Sequence, residues 1–366
     1  MLRSMAELEL MAQNPMFRDR VLAKALRVVD YVPERVARIL EAPSIRDVLC
    51  DSARYSFYFG HSRDLLRRPA AVLTQLFLLN GAAPADVFTR ALPRALQVIL
   101  REAALVRDAG DSVVSDFSLC PYQNRYFLSD QIFVNEGPGK PLVFAADSVM
   151  PPHASTFACL DGFAPDEGGD LVDLGCGSGA LGVMWRKSEG RVLGIDIVDR
   201  AVAFSRLNAV LNGVTADYTS VDAREVTVST RHHRLLFNAP TLPTRGANGG
   251  AGGMSARDAV RLAADAARRL LRPGGRAQVF CLVEAPSEGP TPTALVRRWL
   301  ANQPVDVRVE PMQSRFFEVT REDVARGRLA PESLLAPGAA AGQVLLDHLR
   351  SASIAAIQPV VATVTV

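Results

Sequence analysis

Residues 170–182 read DLVDLGCGSGALG. An apolar run with one acid inside it, LVDL, stops at Gly175, and glycines recur at 177, 179 and 182. A short apolar run that ends in closely spaced glycines reads as a buried strand entering a tight turn. The apolar ALGVMWRKSEG that follows has helical character. Strand, glycine turn and helix in that order form the unit from which parallel sheets are wound.

The pattern repeats downstream. VLGID reads as a strand and RAVAFSRLNAVLNG as a helix closed by Gly213. RLLFN is a strand, SARDAVRLAADAARRLL is a helix stopped by Pro-Gly-Gly, and RAQVFCLV is a strand. The alternation predicts a doubly wound α/β sheet whose ligands lie at the carboxyl ends of its strands. In the tail, TALVRRWLAN reads as a helix, while VDVRVE and QPVVATVTV read as strands. QPVVATVTV is β-branched and uncharged, so it is expected to close the same sheet.

Upstream the chain has a different texture. Residues 1–65 place Leu, Val and Ile at helical spacing, as in LAKALRVVDYVPERVARILEA. From 67 to 135, three helical runs precede two strand-like runs around Ala-Gly-Asp, the outline of a winged helix. Its candidate recognition helix, ALQVILREA, is mostly apolar and offers only Arg101 to a base edge, which favours a substrate cap or a dimer surface over DNA reading. Residues 136–156 are rich in Gly and Pro and read as a linker. The expected organisation is a mostly helical, winged-helix-like domain over 1–144 and a Rossmann-like domain over 145–366.

The 366 residues are 48% hydrophobic and 22% charged, enough for two domains and too apolar for global disorder. A net charge of +2 and a pI near 8.3 fall short of a dedicated nucleic-acid binder. Five scattered cysteines with no Cys-x-x-Cys pair support neither a zinc site nor a disulfide framework, so no metal is expected. A charged N-terminus without an apolar core argues against a signal peptide, and no run is long enough for a membrane span. A cytoplasmic protein is expected.

Gly177-Ser-Gly179-Ala-Leu-Gly182 satisfies the dinucleotide fingerprint, so a nicotinamide oxidoreductase is one reading of the turn. Four acids and amides favour another. Asp173 stands at the mouth of the turn, where a carboxylate opposes a pyrophosphate but suits an ammonium group. Asp196, followed by Ile197, ends the next strand and can accept from two ribose hydroxyls, with Ile197 against an adenine. Asp222 and Ala223 follow the third, where a carboxylate can accept from an adenine amino group. Asn238-Ala239-Pro240-Thr241 ends the fourth, where a dehydrogenase needs no Asn-x-Pro.

This ladder resembles the class I S-adenosylmethionine (SAM)-dependent methyltransferases, and within them the branch with an Asn-Pro-Pro-aromatic motif. That branch includes protein glutamine-N5, rRNA guanine-N2 and DNA adenine methyltransferases. Asn208-Ala209 is similar to a pair in that branch's second helix, and Pro152-His-Ala-Ser-Thr156 to a segment lying over SAM. The resemblance implies SAM as cofactor, held by Thr156, Asp173, Gly175, Cys176, Gly177, Ser178, Gly179, Asp196, Ile197, Asp222, Ala223 and Asn238. It implies that Asn238 and the Ala239 carbonyl accept the hydrogens of an acceptor nitrogen, with Pro240 fixing the turn.

Where the branch carries a stacking aromatic, this chain has Thr241. That departure points to a small-molecule acceptor methylated on nitrogen or oxygen, with a protein glutamine or an rRNA base as the alternative. Tyr122, Tyr126 or Phe127 can stand in for the missing ring, and His153 is a candidate general base for a hydroxyl. The Gly-rich run 244–254 is a candidate lid, and a homodimer is compatible with the helical N-terminal region.

Overall fold

A computed structural model of the chain describes residues 4–59, 66–134, 143–144, 148–164, 168–185, 190–241, 253–314, 316–329, 334–335 and 339–366. They fall into two compact units, one comprising Met1–Phe157, Cys176–Met184 and Val198–Ser220, the other Ala158–Gly175, Trp185–Ile197 and Val221–Val366.

The first unit opens with six short helices: α1 (Met5–Gln13), α2 (Pro15–Arg18), α3 (Val21–Val28), α4 (Pro33–Ile39), α5 (Ile45–Cys50) and α6 (Ser52–Phe59). They are short because the sequence punctuates them. Ser4 caps α1 in a reciprocal box with Glu7, Asn14 caps α2, and prolines stand in the first turns of α2 and α4. Next come α7 (Pro69–Phe77), β1 (Ala83–Pro84), α8 (Ala85–Ala91), α9 (Arg94–Glu102), β2 (Arg107–Ala109) and β3 (Ser112–Val114), with strand order β1-β3-β2. Three helices thus surround a small three-stranded antiparallel sheet in the mostly helical N-terminal region.

Helix α9, whose sequence offers Arg101 as its base-reading cation, uses that side chain in local contacts. Arg101 pairs with Asp108 of β2 at 3.0 Å and lies 5.1 Å over the Phe88 ring. Leu96 and Leu100 are buried, α3 packs against the helix, and the Asn14 amide donates to the Glu102 carbonyl at 2.8 Å.

Beyond the wing, β4 (Phe117–Tyr122) and β5 (Arg125–Asp130) form a fully paired hairpin, followed by the small pair β6 (Phe133–Val134) and β7 (Val143–Phe144). The rings offered as substitutes for the missing aromatic lie in the hairpin, and all three are buried. The Tyr126 hydroxyl donates to the Tyr31 carbonyl at 2.9 Å, and the Tyr122 hydroxyl accepts from Arg46 Nε at 2.8 Å. They pack the hairpin and are not free to form a stacking platform.

After α10 (Ala154–Gly162) come β8 (Leu171–Leu174), α11 (Ala180–Trp185) and β9 (Val192–Asp196), then α12 (Asp199–Asn212) and β10 (Ala216–Ser220). Helix α12 buries Val202, Phe204, Leu207, Ala209 and Leu211, and its small and polar Ser205 and Asn208 are buried too. It contacts α1, α2, α3 and β5 on the N-terminal side and β10 on another. Asn208 satisfies itself there: Oδ1 accepts from the Leu128 N–H at 2.7 Å, and Nδ2 donates to the Leu128 and Ser178 carbonyls at 2.8 Å each. One amide thus pairs with the hairpin like a strand and holds the glycine turn at the same time.

The second unit is built on a sheet. Six of its strands, β8, β9, β11 (His232–Asn238), β12 (Leu271–Pro286), β13 (Asp306–Pro311) and β14 (Ile354–Thr365), lie in the order β9-β8-β11-β12-β14-β13. β9, β8, β11 and β12 are parallel, and β14 inserts antiparallel between β12 and β13. This is the Rossmann-like α/β arrangement expected, and the β-branched tail joins the same sheet, inserted between β12 and β13. Helices α13 (Ala256–Leu270), α14 (Pro292–Leu300), α15 (Arg321–Arg326) and α16 (Ala339–Ser351) complete the unit. Ser255 caps α13, and its buried face is mostly alanine, so the helix lies close on β12. Val172, Leu174, Leu235, Phe237, Ala277, Val279 and Cys281 meet that face in one apolar core. Among the described residues no helix is long and apolar enough to cross a membrane.

Replacing Asn208 with Ala orphans the Leu128 N–H and two buried carbonyls. At about 1–3 kcal/mol for each unsatisfied buried group, partly relieved by water, the variant should lose about 2–4 kcal/mol of unfolding free energy in a urea titration. Asn208→Asp keeps the acceptor but loses both donors, so its loss should also be large.

Candidate functional site

The sheet reverses direction of growth between β8 and β11: the chain leaves β8 for β9 on one side and returns to β11 on the other. Open α/β sheets bind ligands outside the carboxyl ends of the strands at such a switch point. The register places the sequence candidates there. Asp173 is paired with Leu236 near the end of β8, Asp196 is the last residue of β9, and Asn238, opposite Phe280, is the last of β11. The Val221 N–H donates to the Asp196 carbonyl at 2.9 Å, which brings Asp222 to the same edge.

Each acid has a distinct setting. Asp173 is 1% exposed, a carboxylate carried into the sheet interior. Burial, and secondarily the charge of Asp173, push the Cys159 thiol well above its ordinary range. Asp196 is half-buried, and Ile197 beside it is 72% exposed, an aliphatic surface left open at the strand end. Asp222 accepts the Arg224 N–H on Oδ1 at 2.9 Å, and its own carbonyl accepts from the Glu225 N–H at 2.9 Å. The loop it stands on is bolted by Arg269 of α13, which donates to the Ala223 and Val226 carbonyls at 2.6 and 3.0 Å. Nothing in the sequence singles out Arg269, one of many arginines.

The glycines of the turn differ in what forbids a side chain. Gly175, at φ +62°, would place a Cβ 3.2 Å from the Phe237 ring. In the first unit, Gly179, at φ +73°, would place one 2.9 Å from Ser205 Oγ and 3.1 Å from the Ser205 Cα, so α12 passes too close for any substituent. Ser205 also donates to the Gly177 carbonyl at 2.9 Å and contacts Cys176 Sγ at 3.3 Å. Ser178 is buried, and its carbonyl is the one held by Asn208. Gly177 is unlike the others: at φ +57° a Cβ there would meet nothing within 4 Å. Its surroundings are open, as a backbone approached by a ligand requires.

The end of β11 is a locked turn. The Ala239 N–H donates to the Phe280 carbonyl at 3.1 Å, and the Thr241 N–H returns to the Ala239 carbonyl at 2.8 Å, closing a three-residue turn centred on Pro240. Thr241 is 5% exposed, and its hydroxyl accepts from the Leu282 N–H at 2.8 Å. Thr241 is thus turned into β12, and the space it fills is not one where a ring could stack on a substrate. The Ala239 carbonyl already takes the Thr241 N–H, with the Thr241 hydroxyl at 3.4 Å. Asn238 is half-buried at the mouth of this turn. The candidate lid over 244–254 lies outside the described residues as far as residue 252.

His153 and Thr156 lie in the first unit, at the head of α10. Thr156 Oγ1 and Ser155 Oγ contact the His153 Nδ1 and Nε2 atoms at 3.4 and 3.3 Å. Burial of the ring lowers its pKa to about 4, so the imidazole is neutral at pH 7 and a weak base. Both nitrogens serve the helix start. Among the described residues no group of three or more His, Cys, Asp or Glu is placed to hold a metal ion.

Comparison with known proteins gives a family match over part of the chain. The model of the methyltransferase small domain matches residues 139–287. The ribosomal protein L11 methyltransferase of Caldicellulosiruptor saccharolyticus is 40% identical over 73 residues, 19% of this chain and 24% of that protein. That of Aliivibrio salmonicida is 35% identical over 104 residues, 28% of this chain and 33% of that protein. A putative protein N5-glutamine methyltransferase of Methanocaldococcus jannaschii is 33% identical over 76 residues, 20% of this chain and 38% of that protein. The chain therefore spans well under half the length of these relatives. Among solved structures, a geranyl diphosphate methyltransferase in complex with SAM is 18% identical, covers 57% of this chain and 83% of its own, and gives a TM-score of 0.38.

Two alanine substitutions separate steric from ligand-facing glycines. Gly179→Ala should lower the thermal midpoint sharply, because the Ser205 backbone must move. Gly177→Ala should cost only the left-handed penalty of about 1–2 kcal/mol while weakening nucleoside binding at least tenfold in calorimetry.

Proposed function

We propose that the chain transfers the methyl group of SAM to a nitrogen of a protein side chain. The observation that carries the donor is the buried Asp173 carboxylate at the switch point, two residues before the glycine turn's first Gly. A carboxylate there repels the pyrophosphate of a dinucleotide and attracts the ammonium of a methionine moiety. Asp196 takes the ribose hydroxyls, Ile197 lies against the adenine, and Asp222 accepts from the adenine amino group. Within the first unit, the open space at Gly177 suits close approach of a ligand to the backbone. The match to the methyltransferase small domain supports the same donor.

The sulfonium is already an activated leaving group, so the protein's task is placement. A nucleophile roughly 3–3.5 Å from the methyl carbon and in line with the C–S bond captures most of the available rate. The nitrogen lone pair forms the new N–C bond as the C–S bond breaks, leaving S-adenosylhomocysteine, and the nitrogen then loses a proton. Asn238 Oδ1 accepts an acceptor N–H, orients the lone pair and stabilises the positive charge that develops on nitrogen. Pro240 and the Thr241–Leu282 bond hold Asn238 at the strand end. The Ala239 carbonyl, engaged by Thr241, contributes less than the sequence motif implies. His153, neutral and bonded at both nitrogens, shapes the start of α10 rather than removing a proton.

A protein nitrogen is supported by the names of the relatives, L11 and protein glutamine methyltransferases. A small-molecule acceptor is favoured by one observation, the inward Thr241, which removes the ring that a planar amide or base stacks on.

Purified protein, methyl-labelled SAM and a native extract test both readings. Protease-sensitive label is the expected outcome, and label in the small-molecule fraction would transfer the proposal to the second reading. Asn238→Ala should lower kcat about 100-fold or more while changing SAM affinity less than threefold. Unchanged turnover removes Asn238 from the reaction.

A further inference from the structure

The opposite end of the same sheet carries a feature that methyl transfer does not use. A cavity of about 310 Å³ is lined by Gly168, Gly169, His233, Arg234, Arg272, Gly274 and Arg276. It lies at the amino ends of β8, β11 and β12. Arg234 and Asn238 are the third and last residues of β11, so about 13 Å of strand separates it from the carboxyl edge.

Three arginines and a histidine line it, and no acid does among the described residues. Arg234 and Arg276 are in-register neighbours on β11 and β12, a pairing of like charges that a sheet ordinarily avoids. Arg234 is 5% exposed, and its Nη1 lies 3.5 Å from Gln278 Oε1. Of the acids among the described residues nearby, Asp170 gives Oδ1 to the Arg191 N–H at 2.8 Å, and Asp306 shares the row Arg276–Thr365–Asp306 two strands away.

The walls are built to hold donors in place. Gly169, at φ +92°, lets the His233 ring lie where a Cβ would sit, 2.5 Å away. The Asp170 N–H donates to His233 Nδ1 at 3.1 Å, so in the neutral ring the proton is on Nε2, which is a donor. Gly275 has no room for a side chain against the Arg272 carbonyl, which fixes the turn that carries Arg272.

We infer that this cavity binds a small, doubly charged oxyanion of the phosphate class, such as a phosphate monoester or a diphosphate. Planar guanidinium forks match tetrahedral oxyanions with paired, charge-assisted hydrogen bonds. A volume of about 310 Å³ suits a phosphate or diphosphate group rather than a whole nucleotide strand. The site does not depend on the reaction proposed at the carboxyl edge, and either can stand without the other.

Titration of the full chain with inorganic pyrophosphate, at ionic strength held constant with sodium chloride, tests it by calorimetry. Saturable binding is expected. Arg272 is exposed, so Arg272→Glu should fold and bind at least tenfold more weakly, and Arg272→Gln at least threefold. Arg94→Glu makes the same charge change on an exposed residue of α9 and should bind as the parent does. The inference is overturned by no saturable binding, by equal weakening in Arg272→Glu and Arg94→Glu, or by binding of poly(U) with none of pyrophosphate.

Discussion

The close passage of α12 over the glycine turn is the constraint on which the first unit depends. A helix buried on most sides, with Arg206 among its exposed residues, must give the polar groups of its buried faces partners inside. Ser205 and Asn208 do so by bonding to the turn, at the Gly177 and Ser178 carbonyls, and Asn208 adds two bonds to the Leu128 backbone. This works only if position 179 has no side chain. The same contacts hold Gly177 in a left-handed conformation with open space beside it. Packing and ligand access are thus set by one arrangement of backbone.

At the carboxyl edge of the sheet the controlling physics is electrostatic. A carboxylate such as Asp173, 1% exposed, is costly to bury without compensating charge or hydrogen bonds. The edge offers acids at the ends of β8 and β9 and just beyond β10, and an amide at the end of β11. The amino end, with Arg234, Arg272 and Arg276, has the opposite sign. The acids suit a ligand with an ammonium, ribose hydroxyls and an amino group. The arginines suit an oxyanion.

Much of this was legible in the sequence because it rests on backbone requirements. The glycines at 175, 177 and 179, the acids at successive strand ends, the alanine face of α13 and the β-branched 358–366 run all follow from local chemistry. What escaped was decided by neighbours distant in sequence. Thr241 reads as a missing ring, yet its hydroxyl belongs to the Leu282 N–H, forty-one residues on. Tyr122, Tyr126 and Phe127 read as available rings because nothing local shows that Tyr31 and Arg46 cover them. His153 reads as a base, but its depressed pKa comes from burial. Arg269, which fixes the Asp222 loop, is one basic residue in an arginine-rich helix end.

The measurement that tests the central claim most directly is a pair of calorimetric titrations of the same protein, one with S-adenosylhomocysteine and one with NADH. The acids of the carboxyl edge predict saturable, one-to-one binding of the sulfur nucleoside and no saturable heat with the dinucleotide. Binding of NADH alone would contradict the account, because it would place a pyrophosphate beside Asp173.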